Sequence, residues 1–164
     1  MRRIILSTLV AVAIMLPRIS LAQGHPDFSG TWTMDTAKSD PPLQGRGGGG
    51  GGGGRGGGAA SVTITQTPTT LTVLQGPQTL QYKLDGSAST NEMAGRGGPT
   101  TAVSKARWDG TKLIIETTRE IQGFSLTTKE VRSLAADGKE MTVESSTSTP
   151  QGDLNRKVVY SKAP

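Results

Sequence analysis

The sequence predicts an all-β protein whose strands follow one another as an antiparallel up-and-down meander. Apolar and polar residues alternate with a period of two, the turn dipeptide Asp-Gly recurs at 85–86, 109–110 and 137–138, and no helical period appears after residue 22. A meander of nine or ten strands removes its exposed edges most simply by closing on itself. We therefore expect a closed barrel of eight to ten strands, with a two-sheet β-sandwich as the alternative.

The clearest hairpin surrounds Asp109-Gly110, because a tight type I′ turn favours residues that accept positive φ. Taking these two residues as the loop predicts the pairs Trp108–Thr111, Ala106–Leu113 and Ser104–Ile115. These residues are mostly apolar or small, whereas the opposite face places Lys105 near Glu116. Since side chains alternate across a strand, the hairpin has one buried side and one side that faces solvent.

The other strands are predicted from the same alternation. The runs are Phe28–Met34, Ser61–Gln66, Thr69–Leu74, Thr79–Leu84, an ambiguous segment Ser87–Met93, and the runs on either side of turns at 122–123, 137–138 and 150–153. The short turns predict the pairs Ile64–Leu71, Val73–Leu80, Ile121–Phe124, Arg119–Leu126, Leu134–Met141, Val143–Val158 and Ser145–Arg156. The alternation slips between Thr128 and Leu134, where we expect a β-bulge.

The first predicted strand contains the motif Gly30-x-Trp32 within Phe28-Ser29-Gly30-Thr31-Trp32. This motif resembles the first strand of the lipocalins and related calycin barrels, and the segment is similar to the openings of small secreted bacterial lipocalin-like proteins. The resemblance also covers the meander, over residues 27–162. It implies that Trp32 packs across the barrel floor against an arginine of the last strand, for which Arg156 is the candidate.

Two segments fall outside the strand pattern. Residues 1–22 resemble a secretory signal peptide, with Arg2-Arg3 before an apolar run and a small-x-small site at 20–22. The apolar run is shorter than the ~20 residues that cross a bilayer, so we expect no stable membrane insertion. Residues 41–60 are rich in glycine, which has no side chain to bury and much backbone entropy to lose. The predicted organisation is a signal peptide at 1–22 and one barrel domain at 23–164 with a disordered insertion at 41–60, in a secreted or periplasmic protein.

Composition argues against several functional classes. Cysteine is absent, which excludes disulfides, thiolate metal sites and cysteine nucleophiles, and His25 is the only histidine. The net charge of +5 arises from residues 1–22 and the glycine-rich segment, so the body carries no broad basic field. We expect no catalysis, no cofactor and no nucleic-acid partner, and the sequence identifies no protein partner.

His25 has one specific alternative role. If processing makes Gln23 the first residue, its free amine, two amide nitrogens and the His25 imidazole form a square-planar site suited to Cu(II) or Ni(II). The other interpretation is an ordinary flexible terminus, and we favour it.

The interior of the predicted barrel suggests a binding function. Small residues at 102, 104 and 106 share a face with large apolar residues, which either fits a taper in a filled barrel or leaves a cavity. The candidate ligand-binding residues are Tyr82, Ser104, Ala106, Trp108, Ile115, Arg119, Phe124 and Met141. Arg119 faces inward in this register, so it either extends to water or pairs with Glu130 or with an acidic ligand.

We predict non-catalytic binding of a small hydrophobic or amphipathic molecule in the barrel interior. The alternative is a structural or protein-interaction module of the cell envelope, with a filled barrel that displays the glycine-rich loop.

Overall fold

The computed structural model describes residues 24–41, 59–95, 98–121, 123–149 and 152–164. The predicted signal peptide and most of the predicted insertion lie outside these residues. Ten strands are present: β1 Gly30–Met34, β2 Ser61–Gln66, β3 Thr70–Gln75, β4 Gln78–Lys83, β5 Ala88–Gly95, β6 Gly98–Asp109, β7 Lys112–Ile121, β8 Phe124–Leu134, β9 Glu140–Thr149 and β10 Gly152–Lys162. The ambiguous segment at 87–93 is therefore a strand. The described residues contain no helix that is long and apolar enough to cross a membrane.

The strands form one antiparallel sheet in the order β4-β3-β2-β1-β10-β9-β8-β7-β6-β5. Each strand pairs with its neighbour in the chain, except that β10 pairs with β1 and no ladder joins β4 to β5. The sheet is an up-and-down meander that is nearly closed into a barrel, which confirms the predicted fold class and excludes the sandwich.

Side chains bridge the gap between β4 and β5. The Asn91 amide accepts from the Gln81 N–H at 2.7 Å and donates to the Gln81 carbonyl at 3.0 Å, as a backbone neighbour would. The Ser89 hydroxyl accepts from the Lys83 N–H at 2.8 Å, and Gln78 donates to the carbonyl of Glu92 at 3.0 Å. Because Ser89 and Asn91 are both buried, these bonds replace water at the seam.

Replacing Asn91 by alanine should lower the free energy of unfolding by about 2 kcal/mol, because it leaves both peptide groups of Gln81 without this partner. Urea unfolding would measure the change. The matched control is Thr90→Ala, one residue along β5 on the exposed side, which should cost less than about 0.5 kcal/mol. Equal losses in the two variants would show that the side-chain bridge does not stabilise the seam.

Most of the predicted pairs are confirmed. The ladders join Val73 to Leu80, Ile121 to Phe124, Arg119 to Leu126, Leu134 to Met141, Val143 to Val158 and Ser145 to Arg156. Two ladders are shifted by two residues from the prediction. Ile64 pairs with Val73, and Asp109 pairs with Lys112, so that Trp108 faces Leu113, Ala106 faces Ile115 and Ser104 faces Thr117. A shift of two leaves every side chain on its predicted face.

The predicted bulge in β8 is wrong. The β7–β8 ladder runs without offset from Leu113–Arg132 to Ile121–Phe124, and the β8–β9 ladder is equally regular. The apparent slip in alternation has another cause, since Glu130 and Arg132 are charged residues on the inward face of a regular strand.

The hydrophobic core fills the end of the barrel at which the chain enters. Its members are Phe28, Trp32, Val62, Ile64, Leu71, Val73, Leu80, Tyr82, Leu84, Ala106, Leu113, Ile115, Met141, Val158 and Tyr160. We call this the closed end. Trp32 is fully buried, and its indole N–H donates to the Phe28 carbonyl at 2.9 Å.

The cation above the Trp32 ring is Lys162, whose Nζ lies 5.3 Å from the ring centroid. Arg156, which the lipocalin resemblance placed there, lies six residues away on β10, roughly 20 Å along the strand. At Gly30 the backbone φ is +134°, a conformation that favours glycine. The end of the Lys162 side chain lies 2.7 Å from the position of an added Cβ, but this flexible chain could move.

Residues 35–40 continue the line of β1 and cover the edge of β10. Asp35 donates its N–H to the Val159 carbonyl, and the Ser39 hydroxyl accepts from the Val159 N–H at 2.9 Å. Asp40 binds both peptide groups of Lys157, through its own N–H and its carboxylate. The edge of β10 next to Arg156 is thereby protected from pairing with another chain.

Candidate functional site

The candidate site is the inner face of the barrel at the end opposite the packed core, which we call the open half. Strands β1 to β4 have five or six residues, whereas β6 to β10 have 10 to 12. Since the extra residues lie at this end, the long strands rise roughly 15 Å beyond the short ones. Among the described residues, their inward face continues above the core as a curved wall that the short strands do not reach.

The register arranges this wall in three tiers, the lowest of which shares Ile115 with the core. The first tier contains Ile115, Glu130, Ser145 and Arg156, and we call it the charged tier. Above it lies a hydroxyl belt, made of Ser104, Thr117, Thr128 and Thr147. The outermost tier is the apolar rim, made of Ile121, Phe124 and Leu126, with Arg119 opposite Leu126. Leu154 lies one tier lower, because it pairs with Thr147 of the belt.

The belt hydroxyls are paired across the strands. Ser104 and Thr117 are 2.9 Å apart, as are Thr128 and Thr147. Ser104 is buried, whereas the three threonines are half-buried, so solvent reaches this depth of the wall. Each hydroxyl has donor and acceptor capacity beyond one such bond, and it can use that capacity on a ligand or water.

A buried ion pair links Glu130 of the charged tier to Arg132, which lies two residues further along β8 in register with Leu113 of the core. Arg132 Nη2 lies 2.9 Å from Glu130 Oε2 and Nε lies 3.3 Å from it, with 8% of the Arg132 side chain and 31% of the Glu130 side chain exposed. Burial opposes the charge on Arg132, but interactions led by the Glu130 carboxylate outweigh it and raise the pKa of Arg132. Arg132 therefore stays charged.

Two buried phenols, Tyr82 and Tyr160, are affected by the charges of this pair. Burial raises the pKa of Tyr82 far above its usual range, and it also raises the pKa of Tyr160. The charges of Arg132 and Arg156 both oppose this rise in the pKa of Tyr160. Each phenol therefore remains a neutral hydrogen-bond donor inside the barrel.

The predicted ligand-binding residues are spread over the height of the barrel. Four of them are packed in the core, Tyr82, Ala106, Ile115 and Met141. Ser104 belongs to the hydroxyl belt, and Arg119 and Phe124 lie at the rim, where Phe124 is 64% exposed. Trp108 lies at the closed end, where it packs against the core from outside.

Sequence reasoning missed the charged tier and the threonines of the belt. The sequence indicated Glu130 only as a possible partner of Arg119, and no sequence pattern indicated Arg132 as a site residue. The available signal was the break in alternation at 128–134, because a charged residue at an inward position of a regular strand needs a partner. The cross-strand threonines could be found only once the registers were known.

His25 lies at the closed end, away from the open half. Its ring stacks on Trp108 with centroids 4.2 Å apart and planes 2° from parallel, and its Nδ1 lies 3.4 Å from the Gly110 carbonyl oxygen. Together with Asp27, Gln66 and other neighbours, these rings line a depression of about 350 Å³. Gln23, the other residue of the predicted copper or nickel site, lies outside the described residues. Within the described ranges, no three His, Asp or Glu side chains are grouped to hold a metal.

A second depression, of about 430 Å³, lies mainly on the outer face of β8, β9 and β10. Its lining mixes Lys129 and Lys157 with Asp40 and Glu144. Opposite charges alternate there, which is typical of a solvated strand surface.

Comparison with known proteins adds no functional assignment. No model of a known protein family matches the chain, and no curated protein matches it either.

Proposed function

We propose that the protein is a lipocalin-like carrier, exported from the cytoplasm, that binds a small amphipathic molecule in the open half of its barrel without catalysis. The observation that carries the proposal is the height difference between the strands. It leaves inward-facing Leu126 and the belt threonines accessible, and Leu154 is 45% exposed. Apolar side chains on an inward, concave face with a few polar groups are the usual lining of a small-molecule site.

The packed closed end supports the same proposal. The packed core at the closed end holds the wall strands in one register. A binding site gains affinity when its side chains are preorganised in this way. The resemblance of the first strand to lipocalins agrees with this division of the barrel.

Binding can be tested by titration with Nile red, a neutral fluorophore whose emission rises in apolar surroundings. The chain's two tryptophans lie at the closed end, so an external dye reports on the open half better than intrinsic emission. We expect saturable binding that Thr128→Trp weakens at least about tenfold, because an indole on the belt fills the space that the dye needs. Organic extraction and mass spectrometry of the purified chain should recover the natural ligand.

The matched control is Thr127→Trp. Thr127 neighbours Thr128 in β8, points outward, and also pairs with a threonine hydroxyl across the strands, that of Thr118 at 3.2 Å. It should bind Nile red like the parent chain. The proposal fails if the dye does not saturate the parent chain, or if both tryptophan variants bind with parental affinity.

The alternative, a protein-interaction module of the cell envelope, is favoured by one observation. Phe124 is exposed at the tip of a protruding hairpin, where an aromatic side chain serves as a contact for a partner. Phe124→Ser would abolish such an interaction in a pull-down from envelope extracts, and in that case the extract of the purified chain would contain no ligand.

A further inference from the structure

The inner wall of the open half becomes more polar with depth. The rim is apolar apart from Arg119, the belt below it consists of four hydroxyls and Leu154, and the next tier carries Glu130 and Arg156. A site for a wholly apolar molecule would place its apolar surface deepest, because burial of polar groups costs free energy. This wall has the opposite order.

The charged side chains on this inner wall are mostly positive. Three guanidinium groups face inward on it, those of Arg119, Arg132 and Arg156. Glu130 is the one carboxylate that faces inward on the strands given above, and the other acidic residues of these strands lie on outward positions or at turns. In a partly enclosed site of low dielectric constant, such an excess attracts anions.

We infer that the bound molecule carries an oxyanion head group, and that this head group lies deepest, at the charged tier beside Arg156, with its apolar part against the rim. The inference rests on the proposed function and specifies the ligand class and its orientation. The oxyanion is a carboxylate or a phosphate, since the planar guanidinium fork suits both.

Three features favour the charged tier over Arg119. Arg132 and its Glu130 partner fix each other's position, while Arg156 is in register with Glu130 through Ser145. Tyr160 is a buried member of the core on the same strand as Arg156, and burial raises the pKa of its phenol, so it offers a neutral donor. Arg119 is four residues further along β7 than Ile115, roughly 13 Å higher on the wall, and it is less buried than Arg132 and Arg156.

The test is displacement of Nile red by molecules that share one dodecyl chain: dodecanoic acid, dodecyl phosphate, dodecanol and dodecyltrimethylammonium. We expect one of the two anions to displace the dye at a concentration at least about tenfold below that of dodecanol, as a charge-assisted hydrogen bond predicts. The cation should be the weakest competitor. The tighter of the two anions identifies the head group.

The position of the head group is tested with three substitutions. Arg156→Gln should weaken the preferred anion about tenfold and leave dodecanol unchanged. Arg119→Gln removes the same group from the rim, and Arg107→Gln removes an exposed arginine from the outer face, so each should change anion affinity less than about twofold. Should Arg156→Gln fail to fold, Tyr160→Phe tests the same tier with an expected loss of about fivefold.

Two outcomes overturn the inference while leaving the proposed function intact. In one, the anions and dodecanol compete equally. In the other, Arg119→Gln weakens anion binding and the Arg156 and Tyr160 variants do not. If Nile red never binds saturably to the parent chain, the proposed function fails and the inference fails with it.

Discussion

Replacing Trp32 by alanine is expected to lower the free energy of unfolding by about 4 kcal/mol, within the range for truncating a large core aromatic residue. Trp32 is fully buried, and its indole N–H donates to the Phe28 carbonyl. Truncation therefore leaves a cavity in the floor of the barrel and removes the hydrogen bond that ties the entering chain to it. Urea unfolding followed by circular dichroism would measure the loss.

Trp108→Ala is the control of the same residue type. Trp108 is half-buried and stacks on exposed His25, so its truncation should cost about 2 kcal/mol or less. If Trp32→Ala does not fold at all, Trp32→Phe retains most of the packing and should cost about 1–2 kcal/mol through the lost indole N–H. Equal losses for Trp32→Ala and Trp108→Ala would contradict the assignment of Trp32 as the floor of the core.

Replacing Glu130 by leucine should cost about 3 kcal/mol, because it leaves the Arg132 guanidinium charged and buried without its carboxylate. Arg132→Leu should cost less, about 1–2 kcal/mol, since the carboxylate that it leaves behind is 31% exposed and water solvates it. The two single variants are compared by urea unfolding under the same conditions.

The double variant Glu130→Leu/Arg132→Leu completes the cycle. Since replacing a buried ion pair by apolar residues is often close to neutral, we expect it to recover most of the stability that Glu130→Leu loses. Additive losses in the double variant would show that the two side chains do not stabilise each other, and would remove the ion pair from the description of the charged tier.

Much of the fold was predictable because it depends on local signals. The turns at 122–123, 137–138 and 150–153 lie between alternating runs, and short loops determine the register of the strands that they join. The pairs Arg119–Leu126, Leu134–Met141 and Ser145–Arg156 follow from these turns, and the ladders confirm them. Two ladders differ from their predicted registers, each by two residues. Alternation of side chains cannot detect such a shift, because it leaves every residue on the same face.

The candidate site was less predictable because it depends on contacts between distant residues. A run that includes Glu130 and Arg132 does not look like an inward-facing strand until the partner of each charge is known. The resemblance assigned the cation over Trp32 to Arg156, whereas Lys162 lies there, since the pairing of β1 with β10 decides which residue reaches the ring.

The sequence by itself determined an all-β meander, its strand faces and most of its hairpin registers, because alternation and turn chemistry act between residues that are close in the chain. Only the tertiary structure decided that β10 pairs with β1, that side chains of β5 bridge the gap to β4, and that long strands rise above short ones. These features depend on the tilt and closure of the whole sheet. They divide the barrel into a packed closed end and a polar, accessible open half.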